Sequence, residues 1–391
     1  MKLMKLKGLY CLLATFMTAE LAVFSQTLVR PITTATPFLT ISPDSRSGAL
    51  GDAGVAISPD ANAIYWNAAK MPFIKQSYGA SLSYTPWLKT LIGDMSINHL
   101  SGFYKLNKTQ VIGAYLTYFN LGGISFTSAN GSPILDFRPR EFSIAAAIGQ
   151  KLSDNMGISI TLRYIHSNLA GSNSFTNVGE TSPGNTAAGD IAWYYNKNLK
   201  ISAKQFNLAF GANISNIGAK ITYSSAERRE FIPTNLKIGT ALTYEADMYN
   251  KITFTVDLNK LMVPTPEDTG AGVSTSKPYL SGIFGSFGDA PGGLKEEFQE
   301  VIINTGLEYW YNDAFAVRAG YFRESMEKGG RRYLTVGAGF RYKGFGFDGA
   351  YLIPAQQNNP LAETLRFTLH FSLEKNTFND APLEEDPSGT N

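Results

Sequence analysis

Two polar side chains two positions apart could take part in nucleophilic chemistry: His99 and Ser101, in the stretch His99-Leu100-Ser101. On a strand such residues share one face, so the imidazole and the hydroxyl could meet. A hydroxyl and a base within reach are the minimum for an activated nucleophile. No acid that would orient the histidine is evident. We therefore interpret His99 as a structural strand residue, and we predict no catalytic residue and no enzymatic activity.

Phosphate binding is a second chemistry to consider, because glycines are spaced through residues 45–56, SRSGALGDAGVA. A Walker loop would end in Gly-Lys-Ser or Gly-Lys-Thr, and a dinucleotide fingerprint would follow a strand and open a helix. Here Pro43 and Asp44 precede the glycines, and Val55-Ala56-Ile57 follows them. The run therefore predicts no nucleotide site, and we expect no cofactor.

The composition argues against several other kinds of site. The single cysteine, Cys11, lies in a stretch with a basic start, an apolar centre and small residues up to Ser25, which is typical of a secretory signal peptide. We predict that residues 1–25 are removed, which leaves a mature chain without thiols. Three histidines lie far apart, so we expect no metal site. The net charge of +2 gives no reason to expect nucleic acid as a partner.

The elements that must position any site are strands, because hydrophobic residues alternate with polar ones from Gly79 onward. Most segments run for ~10–13 residues, which is longer than the ~5–6 of soluble strands and matches a tilted crossing of a bilayer. In a membrane barrel the apolar face meets lipid and the polar face lines the lumen. About fourteen strands are predicted: 79–88, 92–104, 110–121, 141–152, 155–168, 187–197, 205–216, 234–245, 249–260, 300–311, 314–324, 331–343, 345–354 and 362–374.

The connections favour a barrel over a soluble sandwich, because short turns alternate with long loops after the first pair of strands. Short periplasmic turns and long extracellular loops are typical of outer-membrane barrels. We therefore predict an all-β fold, a transmembrane outer-membrane β-barrel of about 14 antiparallel strands over residues 79–374. An even strand count places both ends in the periplasm, where residues 375–391 form an acidic tail, interpreted as solvated and disordered.

The segment before the first strand, residues 26–78, is predicted to be a plug inside the barrel. Ser58, Pro59 and Asp60 have the signature of a helix start, and Pro72 would end that helix. One helix of three turns is not stable alone and needs an enclosing surface. The small residues of the run 45–56 would allow its backbone to approach the lumen wall closely.

Four arginines fall mostly on the strand faces opposite the large apolar residues: Arg163, Arg318, Arg341 and Arg366. With Glu308 and Asp190 as candidate partners, we interpret them as lumenal charges in an ion-pair network that anchors the plug. A gated channel lined by the same groups is the alternative.

Residues 42–72 carry a specific resemblance. The string SPDSRSGALGDAGVA, followed by DANAIYWNAA and then a barrel, resembles the FadL superfamily of outer-membrane proteins and, within it, the PorV (LptO) family of the type IX secretion system of Bacteroidetes. Asn67-Ala68-Ala69 stands where the superfamily has Asn-Pro-Ala. The matching plug residues are Arg46, Gly48, Gly51, Asp52, Gly54, Tyr65, Trp66 and Asn67.

The resemblance implies a role without catalysis. PorV proteins collect secreted cargo that bears a C-terminal β-domain as it leaves the translocon barrel, and deliver it to a sortase-like attachment complex at the cell surface. Such a protein would lie in outer-membrane lipid. The longest loop, 261–299, offers candidate cargo contacts at Tyr279, Leu280, Ile283, Phe284 and Phe287. The alternative is a FadL-like transporter of hydrophobic small molecules.

Overall fold

The fold is a closed antiparallel β-barrel of fourteen strands. The structure, a computed structural model, describes residues 29–373 apart from 90–91, 129, 170, 172–173, 176–178, 203, 224–228, 267–276, 357–360 and 362. The barrel strands are β1 (Tyr78–Pro86), β2 (Ser96–Lys105), β3 (Gln110–Asn120), β4 (Arg140–Lys151), β5 (Met156–Asn168), β6 (Gly184–Ile201), β7 (Lys204–Gly218), β8 (Asn235–Glu245), β9 (Asn250–Leu261), β10 (Ile302–Tyr311), β11 (Phe315–Arg323), β12 (Arg332–Tyr342), β13 (Phe345–Pro354) and β14 (Leu365–Leu373). The predicted fold class is therefore confirmed, and each predicted strand overlaps one of these.

The barrel closes where β1 pairs with β14, and every other strand pairs with its neighbours in the chain. Large apolar side chains at alternate positions remain exposed on the outer wall, for example Leu162 and Ile191. Their intervening neighbours face the lumen and are mostly buried and polar. This alternation is the one that a wall between lipid and a polar interior requires.

Short turns join the strands at one end and longer loops join them at the other. The short turns are 106–109, 152–155, 202–203, 246–249, 312–314 and 343–344. The loops are 87–95, 121–139, 169–183, 219–234, 262–301, 324–331 and 355–364. Lys343 and Gly344 both have positive φ, as a two-residue hairpin turn demands. We call the two ends of the barrel the short-turn end and the long-loop end.

The few helices are short, and most lie in the plug segment. They are a 3-10 helix Pro37–Thr40, α1 (Ser45–Gly48), α2 (Ala63–Trp66), a 3-10 helix Ala68–Phe73, α3 (Tyr279–Gly285), α4 (Leu294–Gln299) and a 3-10 helix Met326–Lys328. Among the described residues, no helix is both long and apolar enough to cross a bilayer. Two further hairpins lie in loops, Ile124–Thr127 with Pro133–Phe137 and Ser174–Phe175 with Gly179–Glu180.

The single three-turn helix predicted from Ser58 to Pro72 is wrong. The chain instead forms α2 and a separate 3-10 helix, because Asn67 between them is extended, with φ −167° and ψ 95°. The Asn67 side-chain amide donates to the carbonyl oxygens of Val55, at 3.2 Å, and Trp193, at 2.9 Å. Ser58 does not cap a helix; its carbonyl and hydroxyl oxygens accept hydrogen bonds from Arg46. Tertiary contacts therefore override the local helix signals.

The plug segment runs through the lumen from the long-loop end to the short-turn end. The backbone N–H of Arg30 donates to the Glu327 carbonyl, and that of Ala35 donates to the Phe231 carbonyl, both in long loops. Farther along, Met71 lies against Gly113, near the short-turn end of β3. The described chain thus begins at the long-loop end of the barrel and leaves β14 at the short-turn end. The periplasmic position of both termini stays a prediction. The predicted signal peptide 1–25 and the tail 375–391 lie outside the described residues.

Candidate functional site

The glycines of the plug segment lie where its backbone touches other groups most closely. A Cβ added to Gly48 would come within 2.3 Å of Arg366 Nη1, and one added to Gly54 within 2.2 Å of the Trp66 ring. Gly51 has φ +68° and lies against the backbone of Tyr321 on β11. Any side chain would force these contacts apart. The glycine run is therefore a packing motif that fits the segment to the lumen wall.

Two buried aspartates fix the turns on either side of this run. Asp44 caps α1 by accepting the Ser47 N–H at 2.8 Å, and its other oxygen accepts the Trp66 indole N–H at 2.7 Å. Asp257 on β9 accepts the backbone N–H groups of Gly54 and Val55 at 2.7 and 2.9 Å. Asp44 thus joins the first half of the plug segment to α2, and Asp257 joins it to the barrel.

A buried ion network connects α1 with the barrel wall. Arg46 donates to both oxygens of Glu308 on β10, at 2.8 and 2.9 Å, and Glu308 also accepts from Arg318 Nε at 2.6 Å. Arg318 continues to Asp348 at 2.8 Å, and Arg341 reaches the same carboxylate at 2.6 Å. Because each buried charge has an opposite partner, the network can hold the plug segment without leaving an isolated ion in the lumen.

The other two predicted lumenal arginines are also paired. Arg366 contacts Asp52 of the plug segment at 2.7 Å, and the second Asp52 oxygen accepts the Tyr333 hydroxyl at 2.6 Å. Arg163 contacts Asp190 at 2.7 Å on the opposite part of the wall. The candidate partners Glu308 and Asp190 are thus the ones found, and two of the four arginines, Arg318 and Arg366, meet groups that hold the plug segment.

Tyr65 and Trp66 of α2 are buried inside the barrel. The Tyr65 hydroxyl is 2.9 Å from both the Leu39 and the Ile41 carbonyl oxygens, which joins α2 to the start of the plug segment. The Lys237 ammonium lies 4.6 Å from the Trp66 ring centre. A cavity of about 130 Å³ borders Trp66 and Lys237 on the side of the long loops.

His99 and Ser101 do not form a catalytic pair. His99 Nδ1 lies 2.8 Å from the Thr117 hydroxyl, whereas the Ser101 hydroxyl donates to the Asn62 side-chain oxygen at 2.9 Å. His99 is fully buried and packs between the rings of Tyr65 and Tyr115. The two residues support the plug segment, and no acid bonds to the histidine among the described residues.

Loop 262–301 places α3 and α4 at the long-loop end. Of the five predicted contact residues, Leu280, Phe284 and Phe287 are exposed. Ile283 is only 4% exposed, and the Tyr279 hydroxyl accepts the Gly218 N–H at 2.6 Å, so these two hold the loop in place. The prediction of Ile283 as a contact residue is therefore wrong: it lies on the inner face of α3.

Two exposed apolar residues of α4 were missed. Leu294 is 76% exposed and Phe298 is 75% exposed, four residues apart on one helix face. The amphipathic pattern of this helix was visible in the sequence and could have identified them. Together with the exposed residues of α3 and its following turn they form what we call the loop patch: Leu280, Phe284, Phe287, Leu294 and Phe298.

An ion network beneath the loop patch fixes α4 to the barrel. Lys328 donates to Glu296 at 2.6 Å and to Glu300 at 2.9 Å. Lys260 at the end of β9 donates to Glu297 at 3.0 Å and also to Glu300. The first described turn of the plug segment joins the same network, as Arg30 contacts Glu296 at 3.3 Å. The loop patch is therefore held on a charged base instead of collapsing into the lumen.

Comparisons with known structures show a shared fold at low identity. The toluene transporter TbuX of Ralstonia pickettii is 12% identical over 85% of this chain and 98% of its own, with a TM-score of 0.47. The toluene transporter TodX of Pseudomonas putida is 12% identical over 88% and 98%, with a TM-score of 0.49. A TodX deltaS2S3 mutant, a monoaromatic hydrocarbon channel, reaches a TM-score of 0.50 at 12% identity over 85% of this chain and 99% of that one.

Sequence comparison is more specific. Among curated proteins no match is found. The family model described as "Type IX secretion system protein PorV" matches residues 24–268, which is more than half of the 391 residues and includes the whole described plug segment. The chain therefore belongs to the PorV family of type IX secretion system proteins.

Proposed function

We propose that this outer-membrane barrel binds secreted cargo bearing a C-terminal β-domain as the cargo leaves the translocon barrel, and delivers it to the sortase-like attachment complex at the cell surface. The role is one of binding and needs no catalysis or cofactor. Membership of the type IX secretion family supports the setting. The loop patch supports the site, since several large apolar side chains exposed on one surface loop favour a partner.

The position of the loop patch suits a surface event. Long loops of outer-membrane barrels face the exterior, so α3 and α4 would meet cargo on the outside. Their fixed arrangement lowers the entropic cost of binding, because α3 and α4 are held in place before the partner arrives. The ion network of Lys260, Lys328 and the α4 glutamates supplies this order.

The alternative, a transporter of hydrophobic small molecules, needs a path through the lumen. The plug segment occupies that path in the described structure. The cavity on its outer side, about 130 Å³, is close to the ~150 Å³ of a cavity that holds one benzene molecule. The occupied path favours the cargo role, whereas the size of the cavity by itself suits a small apolar ligand.

The test is a variant that removes the loop patch without removing the loop. Replacing Leu280, Phe284, Leu294 and Phe298 with serine should leave the barrel folded, because these side chains are exposed. We expect co-purification of secreted β-domain proteins to fall by about tenfold or more, as loss of hot-spot residues does, and those proteins to remain unattached.

The matched control replaces Ile124 and Ile134, exposed apolar residues of another long loop, with serine. This variant should capture cargo normally. Normal capture and attachment by the loop-patch variant at wild-type abundance would refute the proposal. Loss of uptake of a small apolar compound, with attachment intact, would instead identify a transporter.

A further inference from the structure

Two arginines lie side by side on the outer wall of the barrel, at the base of loop 324–331. Arg323 is the last residue of β11 and Arg332 is the first of β12, and the strand register places them directly opposite each other. The next outward pair along these strands is Tyr321 opposite Leu334, and Leu334 is exposed. Because strand residues alternate between the two faces, both arginines point away from the lumen.

The two guanidinium groups start from closely spaced backbone positions. The Glu324 N–H donates to the Arg331 carbonyl at 2.9 Å, so the adjacent pair of Arg323 and Arg332 is of the non-hydrogen-bonded kind. The Cβ atoms of such a pair are only about 5 Å apart, and like charges directly opposite each other destabilise a sheet. An anion held between the two arginines would remove this repulsion.

The carboxylate next to the pair in the chain is already occupied. Glu324 is buried, and its two oxygens accept from the Arg331 guanidinium at 2.8 and 2.9 Å. Arg332 Nε donates to the Glu324 carbonyl at 3.4 Å, which leaves the terminal nitrogens of Arg332 for another acceptor. Among the described residues, neither Arg323 nor Arg332 forms an ion pair.

The other carboxylates nearby do not cancel the charge of the pair. A hydrogen bond from Ser325 lowers the pKa of Glu327, and the charges of Lys295 and Arg332 add to this effect. Glu327 thus lies within the field of two cations. Glu363 is exposed in loop 355–364, on the far side of β13 from Arg332. The two arginines and Lys295 therefore outnumber the one close carboxylate.

The pair lies at the edge of the apolar band on this part of the wall. One step nearer the middle of the strands are Leu334 and, opposite it on β13, Ile353, and both are exposed. Farther along the same strands, Val336 and Val317 are exposed as well. An apolar wall of this kind meets acyl chains in a membrane, and arginines at its edge reach the level of the lipid headgroups.

We propose that Arg323 and Arg332 together bind the phosphate of a lipid headgroup, in the membrane leaflet around the long-loop end. Arginine suits this ligand, because its planar guanidinium forms two parallel hydrogen bonds with phosphate oxygens. The acyl chains of the lipid lie along Leu334 and its neighbours on the outer wall. The site adjoins loop 324–331, whose Lys328 holds α4 through Glu296 and Glu300, so a bound lipid stabilises the loop on which α4 rests.

Native mass spectrometry of the protein in a neutral detergent tests the site. The probe is dipalmitoyl phosphatidic acid, and the comparison lipid is dipalmitoylglycerol, which has the same acyl chains and no phosphate. We expect Arg323→Gln and Arg332→Gln each to weaken binding of phosphatidic acid by about tenfold or more, because hydrogen bonds to a charged group are lost. Binding of dipalmitoylglycerol should not change.

The matched control is Arg140→Gln, which removes the same charge at the same end of the barrel. Arg140 is exposed on β4, but it lies opposite the neutral residues Asn120 and Asn168. Its loss should leave the affinity for phosphatidic acid nearly unchanged. Equal losses in the Arg140 and Arg323 variants would overturn the proposal, and so would equal binding of the two lipids by the unaltered protein.

Thermal unfolding provides a second measurement. Without added lipid, Arg323→Gln and Arg332→Gln should raise the unfolding midpoint or leave it unchanged, because the repulsion between the arginines is relieved. With phosphatidic acid, the unaltered protein should gain stability that neither variant gains, because a ligand that binds only the folded form stabilises it. An equal gain in the variants would contradict the proposal. Equal stabilisation by inorganic phosphate at the same concentration would show a site for a free anion and would overturn the assignment to a lipid.

Discussion

At the residue scale, the attachment of the plug segment to the barrel wall depends on how individual buried charges are paired. Glu308 is 1% exposed and receives three hydrogen bonds from two arginines, one on the plug segment and one on β11. Removing one partner of a buried ion pair leaves the others uncompensated, and this costs more than the pair contributes. Glu308 is therefore the residue on which attachment of α1 depends most.

We predict that Glu308→Gln destabilises the protein by about 3–5 kcal/mol, since Arg46 and Arg318 each lose one of two counter-charges and keep only Asp60 and Asp348, respectively. The measurement is the midpoint of heat modification on gels, with protease sensitivity of the plug segment as a second readout. Lys251→Gln is the control, because Lys251 pairs with the largely exposed Asp313, and such a surface pair contributes about 0–1 kcal/mol. Equal midpoints for the two variants would contradict the assigned role of Glu308.

The sequence was informative about residue types and about two partners of the arginines, Glu308 and Asp190, but not about the contacts of the plug segment. It identified Arg163, Arg318, Arg341 and Arg366 as inward-facing, because strand alternation is a local signal. The bond between Arg46 and Glu308 joins residues 262 positions apart, and no local pattern encodes it. Ile283 was predicted as a contact residue because hydrophobicity alone does not show which face of α3 packs inward.

At the scale of elements, the attachment of α4 depends on the charge of Glu296. Burial raises the pKa of Glu296, but hydrogen bonds from Lys328 and the Gly292 N–H, with the charges of Lys328 and Arg30, outweigh burial and hold the pKa below its ordinary value of 4.5. A carboxylate whose pKa is lowered by folding stabilises the folded form above its ordinary pKa. That contribution is lost as the pH falls through the lowered value.

We therefore expect α4 to be held firmly against the barrel at neutral pH and to loosen below about pH 4.5. Limited proteolysis of the loop across a pH series, with an acid-active protease, would detect this change. Lys328→Gln should produce the looser loop already at pH 7, whereas Lys295→Gln, on the exposed face of the same helix, should not. Similar cleavage of both variants would show that the network does not hold the loop.

Element types were predicted well where the signal is repetitive and poorly where it is not. The strands were found because alternation over ten residues is hard to produce by chance. The predicted helix over 58–72 does not form as one element, because the contacts of Asn67 with Val55 and Trp193 interrupt it. Residues 45–48 were seen as a small-residue run, and the Asp44 cap that turns them into α1 was not recognised.

At the scale of the whole molecule, the plug segment runs through the lumen from one end of the barrel to the other. Its first described residues lie at the long-loop end, and it joins β1 at the short-turn end. We expect the long loops to face the exterior, which would place residues near Val29 at the outer surface and the start of β1 at the periplasmic side. The sequence could not predict this path, because nothing in residues 26–44 distinguishes an outer from an inner position.

We predict that a cysteine at Val29, an exposed position, is labelled by a membrane-impermeant thiol reagent in intact cells, in a Cys11→Ser background. A cysteine at Asp154, in a short turn, should react only after permeabilisation. A cysteine at the fully buried Ala56 should resist labelling in both conditions. Labelling of Asp154 but not Val29 in intact cells would reverse the assigned orientation.

The contacts of α1 have a consequence for the order of assembly. The Ser45 N–H donates to the Thr368 hydroxyl on the last strand, 323 residues later in the chain. Contacts so distant in sequence form late, because a large loop must close first. The early part of the plug segment therefore cannot lock until β14 has been added, and the same strand closes the wall against β1. Sealing the lumen and closing the cylinder become one kinetic step, so a barrel that still lacks β14 stays unsealed.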